Sequence, residues 1–110
     1  MTCLDNQLLE RFARDNAEDA FRQLVRRHVD LVYSTALRSL AGDRALAEDV
    51  TQAVFADLAR KASELSRRTT VLSGWLYQAT RFEAAKVVRS EQRRRARETA
   101  AWKRVLRKFP

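Results

Sequence analysis

Glycine and proline are scarce in this chain of 110 residues: Gly42, Gly74 and the final Pro110 are the whole supply. A β-rich fold of this length needs frequent tight turns, and tight turns draw heavily on those two residue types. Cysteine is reduced to Cys3, which excludes an internal disulfide and suits a reducing compartment. Histidine occurs once, as His28, so no zinc-ligand spacing can be drawn, and no glycine-rich phosphate loop exists. Glu18-Asp19 and Glu48-Asp49 are adjacent carboxylates, but neighbouring side chains diverge on a helix and make no ready acid–base or metal pair. The sequence therefore predicts a non-enzyme with no cofactor, no metal and no catalytic residue. No run approaches the ~18 apolar residues of a membrane span. The opening Met1-Thr2-Cys3-Leu4-Asp5 has no basic segment followed by an apolar run, so it does not read as a signal peptide. Membrane insertion is not expected.

What is present favours helix. Hydrophobic residues make up 45% of the chain, enough for one buried core, and Ala, Leu, Arg and Glu, all good helix formers, dominate. The expected fold is all-α: a compact three- to four-helix bundle with a C-terminal basic amphipathic helix. A short helix from Asp5 or Asn6 carries Leu8, Leu9 and Phe12. A longer one runs from about residue 17 to 40, with Phe21, Leu24, Val25, Leu31, Val32, Ala36 and Leu40 as its apolar stripe. His28 falls on that stripe, where a core or boundary role is commoner than a ligand role. Ala41-Gly42-Asp43 reads as a stop and a new cap. The next helix spans about 44–61, with Ala47, Val50, Val54 and Leu58 inward and Phe55 at the flank. Residues 63–73 lack sustained periodicity and read as a loop. A further helix begins near Leu72 and reaches at least Arg89. The arginine run 93–97 either extends it or stays free. Trp102, Val105, Leu106 and Phe109 lie at amphipathic spacing in the tail.

Charge divides the chain. Residues 1–58 hold seven arginines and ten acidic residues, a net of −3, whereas residues 59–110 hold fifteen Lys or Arg and four Glu, a net of +11. A basic half beside an acidic half points to a polyanionic partner for one part only, with nucleic acid ahead of an anionic membrane surface.

Two surfaces stand out. On the helix over 44–61, Asp49, Gln52, Ala53, Ala56 and Arg60 share an outer face. Its small residues between polar ends would let another helix lie close, although Asp and Gln are ordinary on any exposed face. On the helix from Leu72, Arg81, Lys86, Arg89 and Arg93 can neutralise phosphates with release of counterions. Trp75, Tyr77 and Phe82 offer faces on which unstacked bases can sit. The competing reading makes those aromatics core and the arginines a solvated surface.

Three segments together resemble a known family. They are Phe21-Arg22-Gln23-Leu24-Val25 with Leu31-Val32-Tyr33 and Ala36-Leu37-Arg38; Ala47-Glu48-Asp49-Val50-Thr51-Gln52-Ala53-Val54-Phe55; and Trp75-Leu76-Tyr77 with Arg81 and the arginine run. In order and spacing they resemble region 2 of bacterial RNA polymerase sigma factors of the extracytoplasmic-function group, within the sigma-70 family. The resemblance covers about residues 17–97, and implies a region 2-like helical domain over 1–97 with 98–110 as linker or tail helix. It implies a cytoplasmic protein that recognises and melts the minus-ten promoter element for transcription initiation. Asp49, Gln52, Ala53, Ala56 and Arg60 would meet the clamp helices of the polymerase β′ subunit. Arg67, Arg68, Thr69 and Thr70 would sit in the loop that receives a flipped non-template base. Trp75, Gln78, Arg81 and Phe82 would line the strand path, and Lys86, Arg89 and Arg93 would grip phosphates. An anti-sigma factor is a further implied partner. The chain departs from many members at Phe82, where they have Asn, and at Lys86, where they have Asp. Full-length members also carry a second helical domain, so the chain reads as a fragment. A degenerate sigma-like interaction adaptor without promoter activity is the alternative, and a basic amphipathic membrane-surface protein a third.

Overall fold

Four helices make up the computed structural model, which describes residues 4–68 and 71–109: α1 (Leu4–Asp15), α2 (Glu18–Ser39), α3 (Arg44–Ser66) and α4 (Leu72–Leu106). No strand occurs among the described residues. Burial follows the helical period. Along α2 the buried positions are Ala20, Leu24, His28, Val32 and Ala36, one every four residues, with Thr35 beside them. Along α3 they are Ala47, Val50, Val54, Phe55, Leu58, Ala62 and Leu65. Leu24, Leu58 and Leu76, from α2, α3 and α4, are among the largest fully buried side chains and mark the centre of the core. Truncating any of them to Ala should cost about 2–5 kcal/mol. α1 closes the bundle with Leu8 and Leu9, packing on α2 and α3.

The joints are short and chemically specified. α1 ends where Asn16 takes a positive φ of 51°, its N–H bonding the Phe12 carbonyl at 2.9 Å. Asn tolerates this left-handed conformation better than most residues. Phe12 and Phe21 then face each other across the joint, ring centres 4.7 Å apart. The α2–α3 turn places Ala41 at φ 54° and Gly42 at φ 82°. The Gly42 N–H bonds the Leu37 carbonyl at 2.9 Å, closing the end of α2. Asp43 caps α3, its carboxylate accepting the Leu46 N–H at 3.1 Å.

One buried polar cluster ties α1 to α2. Asp5 accepts a hydrogen bond from Arg27 Nε at 2.8 Å, and its other oxygen lies 2.9 Å from His28 Nε2. His28 Nε2 is buried and makes no formed hydrogen bond. Burial alone would raise the Asp5 carboxyl, but His28 and Arg27 together outweigh it and hold it below its ordinary value.

Two sequence expectations need correction. α3 does not stop near Lys61 but runs to Ser66. Ala62 and Leu65 continue the stripe begun by Leu58, so the interhelix loop is shorter than the expected 63–73. The aromatic Phe55, expected at the flank, is buried. The basic amphipathic segment at the C-terminus is the far end of α4, continuous from Leu72 to Leu106. Neither Gly nor Pro interrupts the sequence after Gly74 until Pro110, so nothing breaks the helix. Its inner face is buried at Leu72, Leu76, Thr80 and Ala84. From Gln92 to Phe109 every residue is exposed, so this part of α4 projects as an arm. The molecule measures 72 Å along its length and 22 Å across.

Candidate nucleic-acid and protein interface

The expected outer face of α3 lies on the surface. Asp49, Gln52, Ala56 and Arg60 are exposed and Ala53 is half-buried. The inward stripe Ala47, Val50, Val54 and Leu58 fixes this orientation, because residues two positions away on the helix must then face out. Asp49 takes part in no ion pair among the described residues, whereas the Arg60 guanidinium lies 3.1 Å from Asp57. The exposed Ala56 and the half-buried Ala53 beside an unpaired carboxylate and an amide give a low, polar-edged strip. A second helix can approach such a strip closely.

Beside that strip, an open groove of about 530 Å³ runs between α3 and α4. α3 contributes Asp57, Arg60 and Lys61, and α4 contributes Trp75, Gln78, Ala79, Phe82, Glu83 and Lys86, with Glu83 paired to Lys86 at 3.1 Å. Asp57 holds Arg60 at 3.1 Å and Lys61 at 3.3 Å. The Lys61 ammonium stands 5.9 Å from the Trp75 ring centre, and that of Lys86 stands 5.2 Å from Phe82. Phe82 is 63% exposed, which removes the reading of it as core. Trp75 is half-buried and packs against the core. The arrangement offers flat apolar faces flanked by cations, the combination that holds a strand of unstacked bases and phosphates.

Not every expected residue joins the groove. Arg81 is exposed on the neighbouring flank, 5.8 Å from the Tyr77 ring. Arg89 and Arg93 are exposed further along α4, in helical register with Gln78 and Phe82. Arg67 is exposed at the end of α3, and Arg68 is paired there with Glu64. Thr69 and Thr70 lie outside the described residues. Sequence reasoning missed Asp57 and Lys61. Their signal was present, since residues 49, 53, 57 and 61 recur every four positions along the same helix.

Residues 24–94, from within α2 to the start of the arm, match the family model of sigma-70 region 2. The chain belongs to the sigma-70 region 2 family. No curated protein and no solved structure matches the chain. Sigma-70 region 2 is a non-enzymatic transcription-factor domain that serves promoter recognition and RNA polymerase binding. The matched span includes both the α3 strip and the groove, and it ends at Arg94. The all-helical bundle agrees with membership of this family. None of the helices is long and apolar enough to cross a membrane among the described residues.

Proposed function

We propose that this sigma-70 region 2 domain, residues 1–97, acts as in the extracytoplasmic-function group in the cytoplasm. It docks on the β′ clamp helices of core RNA polymerase through Asp49, Gln52, Ala53, Ala56 and Arg60. It takes the non-template strand of the minus-ten element along Trp75, Gln78, Phe82 and Lys86, with Arg81 at the flank and Arg89 and Arg93 on phosphates. Arg67, Arg68, Thr69 and Thr70 receive a flipped base. Residues 98–110 lie beyond this unit as linker or tail helix. An anti-sigma factor is a further proposed partner.

The observation that carries this reading is the row Trp75, exposed Phe82 and Lys86 on α4, facing Lys61 on α3, in one groove next to the α3 strip. Extracting a base from the stack costs a few kcal/mol. Stacking on aromatic side chains contributes about 1–3 kcal/mol per base, so two aromatic faces are of the right size to offset that cost. The test uses two partners: an isolated β′ clamp-helix fragment and a single-stranded minus-ten oligonucleotide. Binding to both supports the reading. Clamp binding without strand binding at low salt turns it into the adaptor alternative, and failure on both rejects polymerase and strand together.

A further inference from the structure

The groove does not end the basic surface of α4. Phe82 is followed at helical spacing by Lys86, Arg89, Arg93, Arg97, Arg104 and Arg107. At 3.6 residues per turn these six cations fall in a stripe about 80° wide, in line with the groove. All six are exposed. Trp102, Val105, Leu106 and Phe109 fall on the opposite side of the same helix, so the arm has a charged face and an apolar face. Residues 92–109 hold eight Lys or Arg and one Glu.

The acids of the arm are kept off the stripe. Arg94 binds Glu91 at 2.8 Å and Glu98 at 3.1 Å, and all three lie away from the basic face. That triad raises the Arg94 pKa through the Glu91 hydrogen bond first. Arg89, Arg93, Arg97, Arg104 and Arg107 have no carboxylate partner among the described residues. From Lys86 to Arg107 the helix rises about 32 Å, close to the ~34 Å of one duplex turn. Lys86 is paired with Glu83 at 3.1 Å, but from Arg89 onward the row is unneutralised and fits a regular polyanion better than a folded protein surface.

We propose that Arg97, Arg104 and Arg107 form a docking surface for the phosphates of duplex DNA adjoining the strand held in the groove. The inference rests on the strand-binding reading above, and extends it past the family match, which stops at residue 94. The contact is with the backbone alone, so it positions the duplex without reading its sequence.

The test compares the whole chain with the triple variant Arg97→Gln, Arg104→Gln and Arg107→Gln, which keeps good helix formers at exposed positions. Three probes are titrated at stepped salt: the single-stranded oligonucleotide, the same strand joined to a duplex, and that duplex alone. The expected result is a steeper salt dependence on the joined probe for the unaltered chain. The triple variant lowers that slope by about 2–3, at roughly 0.9 per phosphate contact, and leaves the single strand unaffected. A slope unchanged on the joined probe overturns the proposal, as does an equal loss on joined and single-stranded probes. Single-strand binding with no gain from an attached duplex removes the arm and keeps the groove. Duplex binding sensitive to the triple variant, without single-strand binding, keeps the arm and removes the groove. Trp102→Ser, on the opposite face, should change none of the three; an effect equal to that of the triple variant also overturns the proposal.

Discussion

The Lys61 ammonium lies 5.9 Å from the centre of the Trp75 ring, joining a cation on α3 to an aromatic on α4 across the groove. Neither residue alone makes a binding wall; the α3–α4 packing does. Lys61→Met keeps the aliphatic stem over the ring and removes the charge. If Lys61 meets a phosphate of a single strand, the salt slope of binding falls by roughly 0.7. A slope identical to that of the unaltered chain takes Lys61 out of the path.

Phe82→Ala isolates stacking. Phe82 is exposed, so the substitution should change stability by no more than about 0.5 kcal/mol. Loss of one stacking face should weaken single-strand binding by about 1–3 kcal/mol, roughly five- to 150-fold, with little effect on the salt slope. Thermal unfolding and anisotropy titration together decide it. Unaltered affinity in a folded variant removes Phe82 from the site.

Asp49→Arg tests the other surface. Asp49 is exposed and without an ion pair among the described residues, so the variant should unfold at nearly the original temperature. Binding to the β′ clamp-helix fragment should be lost. Retained binding would place the polymerase contact elsewhere on the domain.

The α2–α3 joint gives two substitutions of opposite sign. Asp43→Ala removes the acceptor for the Leu46 N–H and should cost about 0.5–2 kcal/mol. Ala41 sits at φ 54°, where a Cβ is strained, so Ala41→Gly should be neutral to stabilising by up to about 1 kcal/mol. Chemical denaturation reads both. A destabilised Ala41→Gly would contradict the turn geometry.

Acid should loosen the bond between α1 and α2. Asp5 is held below its ordinary pKa in the folded state because His28 and Arg27 outweigh the effect of burial. The unfolded chain therefore binds more protons, and stability rises with pH across this window. The contribution is present above the unfolded value of about 3.9 and disappears as pH falls through the lower folded value. The stability difference between the unaltered chain and Asp5→Asn should shrink on acidification from about pH 5. A difference that stays flat down to pH 3 would show that Asp5 is unpaired.

Much of this fold is legible in the sequence because apolar residues recur at helical spacing and the breaks carry Asn16 and Gly42. The α3 face from Asp49 to Arg60 is likewise legible, since its inner stripe dictates what must face out. The end of α3 was harder, because only Leu65 among Ser63, Glu64 and Ser66 reports burial. Phe82 was ambiguous: an aromatic on a helix is usually core, and only the register of α4 against Leu76, Thr80 and Ala84 shows that it faces water. The groove as a unit was not legible. It depends on Asp57 and Lys61 meeting Trp75 and Phe82 across two helices, a relation that no local pattern encodes.

The unbroken run of α4 from the bundle into the arm has a mechanical corollary. A continuous helix transmits rotation as well as distance, so the arm is phased to the groove like the hand of a clock to its arbor. Inserting one alanine between Gln92 and Arg97 moves the distal cations only about 1.5 Å outward but turns them about 100°. Inserting seven residues moves them about 10 Å yet restores their bearing to within about 20°. Whatever the arm touches in concert with the groove should therefore tolerate the longer insertion better than the shorter one.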